Sequence, residues 1–200
     1  MKIGIMGGTF NPIHFGHLFL AENAYEQAGL DKVLFMPSKN PPHKPFPEGV
    51  NQQQRVEMIS LAIANNPHFE LSTIELSRDG LTYTADTLQL LSTQNPDNEY
   101  FFIVGTDSLF YMQHWKDPQI VFDHCTVLVA GRDNADMDSI QKHMELLQQS
   151  FQAKIIYVEM PTIQISSADI RTRIKQEKTV HYYLPEPIID YVEQNRLYKE

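Results

Sequence analysis

Two glycines and two histidines follow the first apolar run of the chain. Residues 2–6 predict a strand, and Gly7, Gly8, His14 and His17 come directly after it. Glycines let the backbone come close to a nucleotide. Histidines three positions apart near a helix start can face the same side and present two donors to one polyphosphate. Together with the N–H groups of a helix expected to begin at about His17, they predict a site that stabilises charge on a leaving pyrophosphate.

Three other interpretations of this stretch compete with phosphate binding. A dinucleotide-binding fingerprint requires Gly-x-Gly-x-x-Gly, which residues 4–9 do not supply, so a hydride-transferring enzyme is disfavoured. His14 and His17 could form half of a zinc site, but no cysteine cluster or His-Glu motif stands near them in the sequence. Either histidine alone would be read as structural. For residues 7–17 as a whole, phosphate binding is favoured.

A second candidate segment lies near the end of the chain. Ser166 or Ser167 is a plausible helix N-cap, and Arg171 would lie on the second turn of that helix. Hydroxyl, backbone and guanidinium donors could then converge on an anion. The alternative is a capped amphipathic helix with Ile170 and Ile174 turned inward and no ligand.

The middle of the chain offers a third set of candidates. Thr84 can cap a helix that carries Leu88, and the N–H groups at that helix start would favour a carboxylate. Trp115 offers a flat face to a ring. Lys44 lies in the proline-rich residues 37–47, which predict a loop, and it could reach a phosphate. The alternatives are a core tryptophan, a purely structural cap and a solvated surface loop.

These candidates need a scaffold, which the apolar runs supply. Predicted strands at residues 2–6, 32–36, 69–74, 100–104, 126–130 and 154–158 are separated mostly by helix-like segments. This is the rhythm of a parallel sheet with helices on both faces. We expect a doubly wound, Rossmann-like α/β fold that forms a single domain over residues 1–200. Ligands of such sheets bind beyond the carboxyl ends of the strands, where the glycines lie.

Composition limits the class of protein. The chain has 200 residues, 42% hydrophobic and 20% charged, and a formal charge of −9, which disfavours a broad surface for nucleic acid. No apolar run approaches the ~18 residues of a membrane span, and the start does not resemble a signal peptide, so a cytoplasmic protein is expected. The one cysteine, Cys125, lies in an apolar run and is expected to be a core thiol.

The motifs resemble those of a known superfamily. Residues 8–17 match the Gly-x-Phe-x-Pro-x-His-x-Gly-His signature of the nucleotidyltransferases, which include adenylyltransferases and cytidylyltransferases. Residues 163–175 are similar to their Ile-Ser-Ser-Thr-x-Ile-Arg motif, except that Ala168 stands where threonine is usual. Residues 82–88, residues 105–109 and Trp115 resemble segments of bacterial nicotinate-nucleotide adenylyltransferase, so the likeness extends over nearly the whole chain.

The resemblance implies transfer of AMP from ATP to nicotinate mononucleotide, giving nicotinate adenine dinucleotide and pyrophosphate in NAD biosynthesis. In that family the threonine segment and the tryptophan enclose the pyridine ring, and the Gly-x-Asp after the fourth strand meets the nucleotide sugars. Mg²⁺ is expected to arrive with ATP rather than in a protein metal site. The alternatives are a sister enzyme that uses nicotinamide mononucleotide or pantetheine phosphate, and a nucleotide-binding regulator without turnover. The expected partners are small molecules, with a homo-oligomer left open.

The candidate residues fall into three groups. The expected catalytic residues are His14, His17, Lys44 and Arg171. The expected ATP-binding residues are Gly7, Gly8, Thr9, Phe10, His14, His17, Gly105, Asp107, Ile165, Ser166, Ser167 and Arg171. The expected acceptor-binding residues are Asn11, Lys44, Thr84, Asp107 and Trp115.

Overall fold

The computed structural model of the chain describes residues 1–41, 49–131, 137–161 and 163–199. Its strands are β1 (Lys2–Gly8), β2 (Lys32–Pro37), β3 (Phe69–Leu71), β4 (Glu99–Gly105), β5 (Thr126–Ala130) and β6 (Lys154–Val158). Its α-helices are α1 (Phe15–Ala28), α2 (Gln52–Ile63), α3 (Thr84–Gln94), α4 (Thr106–Leu109), α5 (Pro118–His124), α6 (Met137–Phe151), α7 (Ser167–Lys175) and α8 (Glu186–Gln194). A 3₁₀ turn covers Met112–His114.

The six strands form one parallel sheet in the order β3-β2-β1-β4-β5-β6. The chain builds outward from β1 to β3, then returns to the centre and builds outward again from β4 to β6. β1 and β4 are therefore neighbours at the point where the winding reverses. Connections leave these two strands in opposite directions, and a crevice opens beyond their carboxyl ends. The doubly wound α/β prediction is confirmed.

Two apolar cores cover the two faces of the sheet. One is packed by α1, α2, α7 and α8, and the other by α3, α5 and α6. Cys125 is buried in the second core, where burial raises the pKa of its thiol to about 12, so it stays protonated as expected of a core thiol. In the part of the chain that the structure describes, no helix has both the length and the apolar character to cross a membrane.

Several element boundaries differ from the sequence-based expectation. Strand β1 extends to Gly8 rather than to Met6, β2 is one residue longer than predicted, and β4 is two residues longer. Three other boundaries differ as well. The predicted strand at 69–74 ends at Leu71, because the chain turns from Thr73 onward, where the Leu76 amide donates to the Thr73 carbonyl (2.9 Å). Helix α1 begins at Phe15 rather than at about His17. Helix α3 begins with Thr84 itself after an extended Tyr83, so Thr84 is its first residue and not its N-cap.

Candidate active site

The Gly-His segment, residues 7–17, joins the end of β1 to the start of α1. Phe10 lies within it, buried, with a left-handed backbone (φ 48°). A Cβ placed on Gly8 would lie 3.1 Å from the Phe10 ring, which is tighter than ordinary contact. The absence of a side chain at Gly8 therefore lets the Phe10 ring fold back against the end of the strand and fix the path of the segment.

The two histidines of this segment stack on each other. The His14 and His17 ring centroids are 3.7 Å apart with an interplanar angle of 28°, and His14 is buried. The two rings thus lie on the same side, as the spacing predicts. Gly16 makes room for them, since a Cβ there would come within 3.0 Å of His14 Nδ1.

A backbone hydrogen bond determines which nitrogen of His17 carries the proton. The His14 amide N–H donates to His17 Nδ1 across 3.3 Å. A nitrogen that accepts a hydrogen bond presents its lone pair, so neutral His17 is protonated on Nε2. The outer nitrogen of this ring is consequently a hydrogen-bond donor at neutral pH, which suits an anionic phosphate oxygen.

His17 lines a cleft at the switch point of the sheet. The opposite wall comes from segments far away in sequence, which follow β4, β5 and β6. The cleft is narrow and partly open to solvent. Apart from His17, glycines and apolar side chains surround it, which suits a flat apolar ring. The lining residues are Gly16, His17, Leu20, Gly105, Ala130, Gly131, Met160, Ile163 and Ile165.

Helix α7 is joined directly to the Gly-His segment. Ser166 is the N-cap of α7, so the first of the two possible cap residues is the one used. Ser167 Oγ donates to the Pro12 carbonyl (2.9 Å), and Arg171 Nη1 donates to the Asn11 carbonyl (2.7 Å). The structure thus brings together the two segments that the sequence singled out. Some of their hydrogen-bond donors and acceptors bond the two segments to each other.

Three of the expected acceptor residues, Thr84, Asp107 and Trp115, belong to segments that pack on the opposite face of the sheet from α1 and α7. Trp115 is half-buried and meets the Phe102 ring edge-on, with centroids 6.0 Å apart. The Phe102 ring in turn lies 3.5 Å from where a Cβ of Gly7 would be. Trp115 therefore reaches the start of the Gly-His segment through one intervening ring. Asp107 lies exposed in the first turn of α4.

An ion-pair network, hereafter the Asp86 network, supports the start of α3. Asp86 accepts from Arg78 Nη2 (3.2 Å) and Lys116 Nζ (3.3 Å), and the Lys116 ammonium also lies 4.5 Å from the centre of the Tyr83 ring. Since Tyr83 and Asp86 flank Thr84, this network brings the Trp115 segment beside the first turn of α3.

A buried carboxyl lies beneath this network. Thr87 Oγ1 accepts from Arg78 (2.8 Å) and donates to Glu75 Oε1 (2.9 Å). Burial raises the pKa of the Glu75 carboxyl, while its bonds to Thr87 and the Arg78 charge pull the pKa back down. The start of α3 is therefore held by buried hydrogen bonds on its inner side and by the Asp86 network at the surface.

Two residues in contact with the site were missed at the level of sequence. Arg55 of α2 is fully buried and donates from Nη1 to the Thr9 carbonyl (2.9 Å). Tyr198, beyond α8, donates its hydroxyl to Asn11 Oδ1 (2.6 Å). An arginine on a helix turn otherwise facing the core was a usable signal for Arg55. Nothing in the local pattern pointed to Tyr198.

Two residues of the cleft were not predicted, and one predicted residue is not described by the structure. Ala130 and Gly131 line the cleft but were not among the candidates, although their position at and just after the end of β5, at the carboxyl edge of the sheet, was a signal. Lys44, expected to contact phosphate, lies outside the described residues.

Comparison with known proteins identifies relatives over the whole chain. The cytidylyltransferase-like family model matches residues 5–173. The "Probable nicotinate-nucleotide adenylyltransferase" of Lachnoclostridium phytofermentans is 47% identical over 198 residues, which are 98% of each chain. The protein of the same name from Dictyoglomus thermophilum is 39% identical, over 99% of this chain and 100% of that one. The structure of Plasmodium falciparum nicotinic acid mononucleotide adenylyltransferase complexed with NaAD shares the fold, with a TM-score of 0.81 at 21% identity over 98% of this chain and 97% of the other.

Proposed function

Because this chain belongs to the nicotinate-nucleotide adenylyltransferases of the cytidylyltransferase-like family, we propose that it transfers the adenylyl group of ATP to nicotinate mononucleotide. The products are nicotinate adenine dinucleotide and pyrophosphate. The observation that carries the proposal is the stacked His14 and His17 pair beside the cleft at the switch point between β1 and β4.

The chemistry needs no protein nucleophile. A 5′-phosphate oxygen of the mononucleotide attacks the α-phosphorus of ATP, and the bond from that phosphorus to the pyrophosphate oxygen breaks in line. The attacking phosphate is already ionised at neutral pH, so a general base has little to contribute. Positioning of the two phosphates and stabilisation of the charge that develops on pyrophosphate supply the rate.

At the ATP end, donors surround the phosphates and apolar groups surround the ring. His17 donates from Nε2 to the leaving pyrophosphate, and His14 holds the His17 ring from behind. Arg171 uses one nitrogen for the Asn11 carbonyl and contributes its charge to the phosphates. Lys44 is proposed as a further phosphate ligand. The proposed ATP-binding residues are Gly7, Gly8, Thr9, Phe10, His14, His17, Gly105, Asp107, Ile165, Ser166, Ser167 and Arg171.

At the acceptor end, Trp115 offers a ring face and the first N–H groups of α3, beginning at Thr84, favour the nicotinate carboxylate. Asn11, Lys44 and Asp107 complete the proposed acceptor set. This arrangement supports nicotinate rather than nicotinamide mononucleotide as the acceptor, because the N–H groups of the nicotinamide amide would face the N–H groups at the start of α3.

Mg²⁺ is proposed to enter as part of the MgATP substrate. Within the described ranges no three His, Cys, Asp or Glu side chains stand close enough together to hold a metal ion. The groups proposed to surround the phosphates are histidine, arginine and lysine, which bind phosphate oxygens directly. The proposed reaction consumes ATP. We propose that the protein acts in the cytoplasm.

A pyrophosphate-release assay tests the proposal. The purified protein is incubated with ATP and Mg²⁺ and, in parallel, with nicotinate mononucleotide, nicotinamide mononucleotide, pantetheine phosphate or no acceptor. Pyrophosphate formed in step with nicotinate adenine dinucleotide is expected in the first reaction. Faster release with another acceptor would assign the chain to a sister activity, and no release with any acceptor would favour a non-catalytic regulator.

A further inference from the structure

Four oxygens in one short turn are hydrogen-bonded by residues from distant parts of the chain. The turn at residues 9–12, within the Gly-His segment, is hereafter the 9–12 turn. Its Thr9 carbonyl accepts from Arg55, 46 positions away, and its Asn11 carbonyl accepts from Arg171, 160 positions away. The other two bonds are from Ser167 to the Pro12 carbonyl and from Tyr198 to Asn11 Oδ1, across 155 and 187 positions. Packing of α2, α7 and the end of the chain therefore fixes this turn.

Arg55 occupies a position where an apolar side chain would be easier to accommodate. It is fully buried beside Met58 and Ile59, and burial lowers the pKa of its guanidinium. Burying a charged group is costly unless its hydrogen bonds are made. A methionine would fill much of the same space without that cost, but it could not hold the Thr9 carbonyl. The bond to the Thr9 carbonyl therefore gives the guanidinium a role in the 9–12 turn that an apolar side chain could not take.

Tyr198 sets the orientation of the Asn11 side chain. Its ring is buried, and burial raises the pKa of its phenol, so the hydroxyl remains a donor. Because Asn11 Oδ1 accepts this hydroxyl, the amide nitrogen Nδ2 must point the other way. Asn11 is only 2% exposed, and its Nδ2 makes no hydrogen bond with the described residues. Leaving a buried N–H donor without a hydrogen bond is costly, and an oxygen of a bound ligand can accept that bond.

We propose that Tyr198 and Arg55 are positioning residues for adenylyl transfer, which hold the 9–12 turn and the Asn11 amide so that Asn11 Nδ2 donates to a phosphate oxygen of the bound substrates. This inference rests on the proposed function and adds two residues to it, neither of which touches substrate. Their effect is exerted through Asn11 and through the path of the Gly-His segment.

Tyr191 provides a matched control for Tyr198. Its hydroxyl donates to Glu57, a bond that joins α8 to α2 without touching the 9–12 turn. Tyr191→Phe and Tyr198→Phe each remove one phenolic hydroxyl near the end of the chain and keep the ring. A purely structural role predicts that both variants lose thermal stability and keep their kcat.

The positioning role predicts a different pattern. Tyr198→Phe should lower kcat by roughly tenfold or more, because a small displacement of a donor is costly in the transition state, and KM should change less. Tyr191→Phe should keep the kcat of the unmodified protein. A Tyr198→Phe variant whose kcat stays within about twofold of the unmodified value would overturn the inference, because a displaced donor is expected to lower kcat by much more than that. So would equal losses of kcat in the two variants.

Two further measurements keep the test decisive. Arg55→Met removes the bond to Thr9, whereas Arg55→Lys retains a charged donor, so the lysine variant should recover part of the lost kcat. If neither folds, Tyr198→Phe alone decides. If the unmodified protein shows no turnover, the proposed function fails, and calorimetry with a nonhydrolysable ATP analogue then tests the positioning separately. Weaker binding in Tyr198→Phe than in Tyr191→Phe would support it, and equal binding would overturn it.

Discussion

The two ends of the proposed site are built in opposite ways. At the phosphate end, His14 is 2% exposed, and the Gly-His segment that carries it is held by hydrogen bonds from Arg55 and Tyr198, which are both buried. At the acceptor end, Asp107 is exposed, and the Asp86 network includes a Lys116 side chain that is 44% exposed. One end is enclosed and the other is open to water.

The difference follows from the task proposed for each end. Donors that stabilise developing charge are effective when they are already in place and do not reorganise during the reaction. Recognition of the acceptor ring needs a flat surface and a few N–H groups, and exposed side chains can hold these in position. Substitutions at the phosphate end should therefore change turnover, whereas those at the acceptor end should change selectivity or little at all.

The largest expected effect is that of His17→Ala. Removing one preorganised donor to developing charge should lower kcat on the order of 10²- to 10³-fold, by analogy with oxyanion holes. Steady-state kcat and the melting temperature are measured on the same preparation. His114→Ala, at an exposed histidine that contacts Gln113, serves as the control and should keep its kcat. A near-normal kcat in His17→Ala would remove His17 from the proposed mechanism.

A smaller effect is expected at the acceptor end, where the selectivity between two acceptors is measured. The ratio of kcat/KM should favour nicotinate over nicotinamide mononucleotide by about tenfold or more, because ~1.4 kcal/mol supplies that factor and charged acceptors gain more from N–H groups. Thr84→Pro removes the first N–H of α3 at a position where helices accept proline, and the preceding Tyr83 is already extended. This variant should erode the preference.

Trp115→Ala is the companion to that test. The ring should contribute to binding of both acceptors alike, so both kcat/KM values should fall by similar factors and their ratio should remain. Equal kcat/KM for the two mononucleotides in the unmodified protein would contradict the proposed acceptor site, and a changed ratio in Trp115→Ala would contradict the role given to the ring.

A still smaller effect is expected from Lys116→Ala. This change removes one of the two ion pairs of Asp86 and the contact with the Tyr83 ring, both at the surface. Exposed pairs contribute about 0–1 kcal/mol and are screened by salt. The free energy of unfolding should fall by less than about 1 kcal/mol at low salt, with a smaller difference at high salt. A large, salt-independent loss would mean that the open end is built as rigidly as the other.

No effect on turnover is expected at Cys125, which belongs to neither end. Its thiol is buried and donates to the Val121 carbonyl (3.2 Å), and burial raises its pKa to about 12. The thiolate form should be scarce at pH 8, so a thiol reagent should modify the protein only on unfolding, and Cys125→Ala should keep its kcat. Rapid modification of the folded protein with loss of activity would contradict this.

Much of the scaffold could be predicted from local pattern. Apolar runs located all six strands, although the third was predicted three residues too long. The Gly-His segment was recognisable because its glycines and histidines are adjacent in sequence, and its place at the carboxyl end of β1 follows from parallel pairing. That His14 and His17 face the same side was anticipated for the same reason, since residues three apart near a helix start share a side, but the stacking of their rings was not.

The sequence by itself determined the strands, the fold class and the residues of the Gly-His segment, whereas only the tertiary structure decided what holds that segment. Local periodicity and short motifs are properties of neighbouring residues and can be read along the chain. The bonds of Arg55 to Thr9 and of Tyr198 to Asn11 join residues 46 and 187 positions apart. Such bonds exist because packing of α2 and the chain end buries polar groups that must then find partners. No local pattern records which partners those will be.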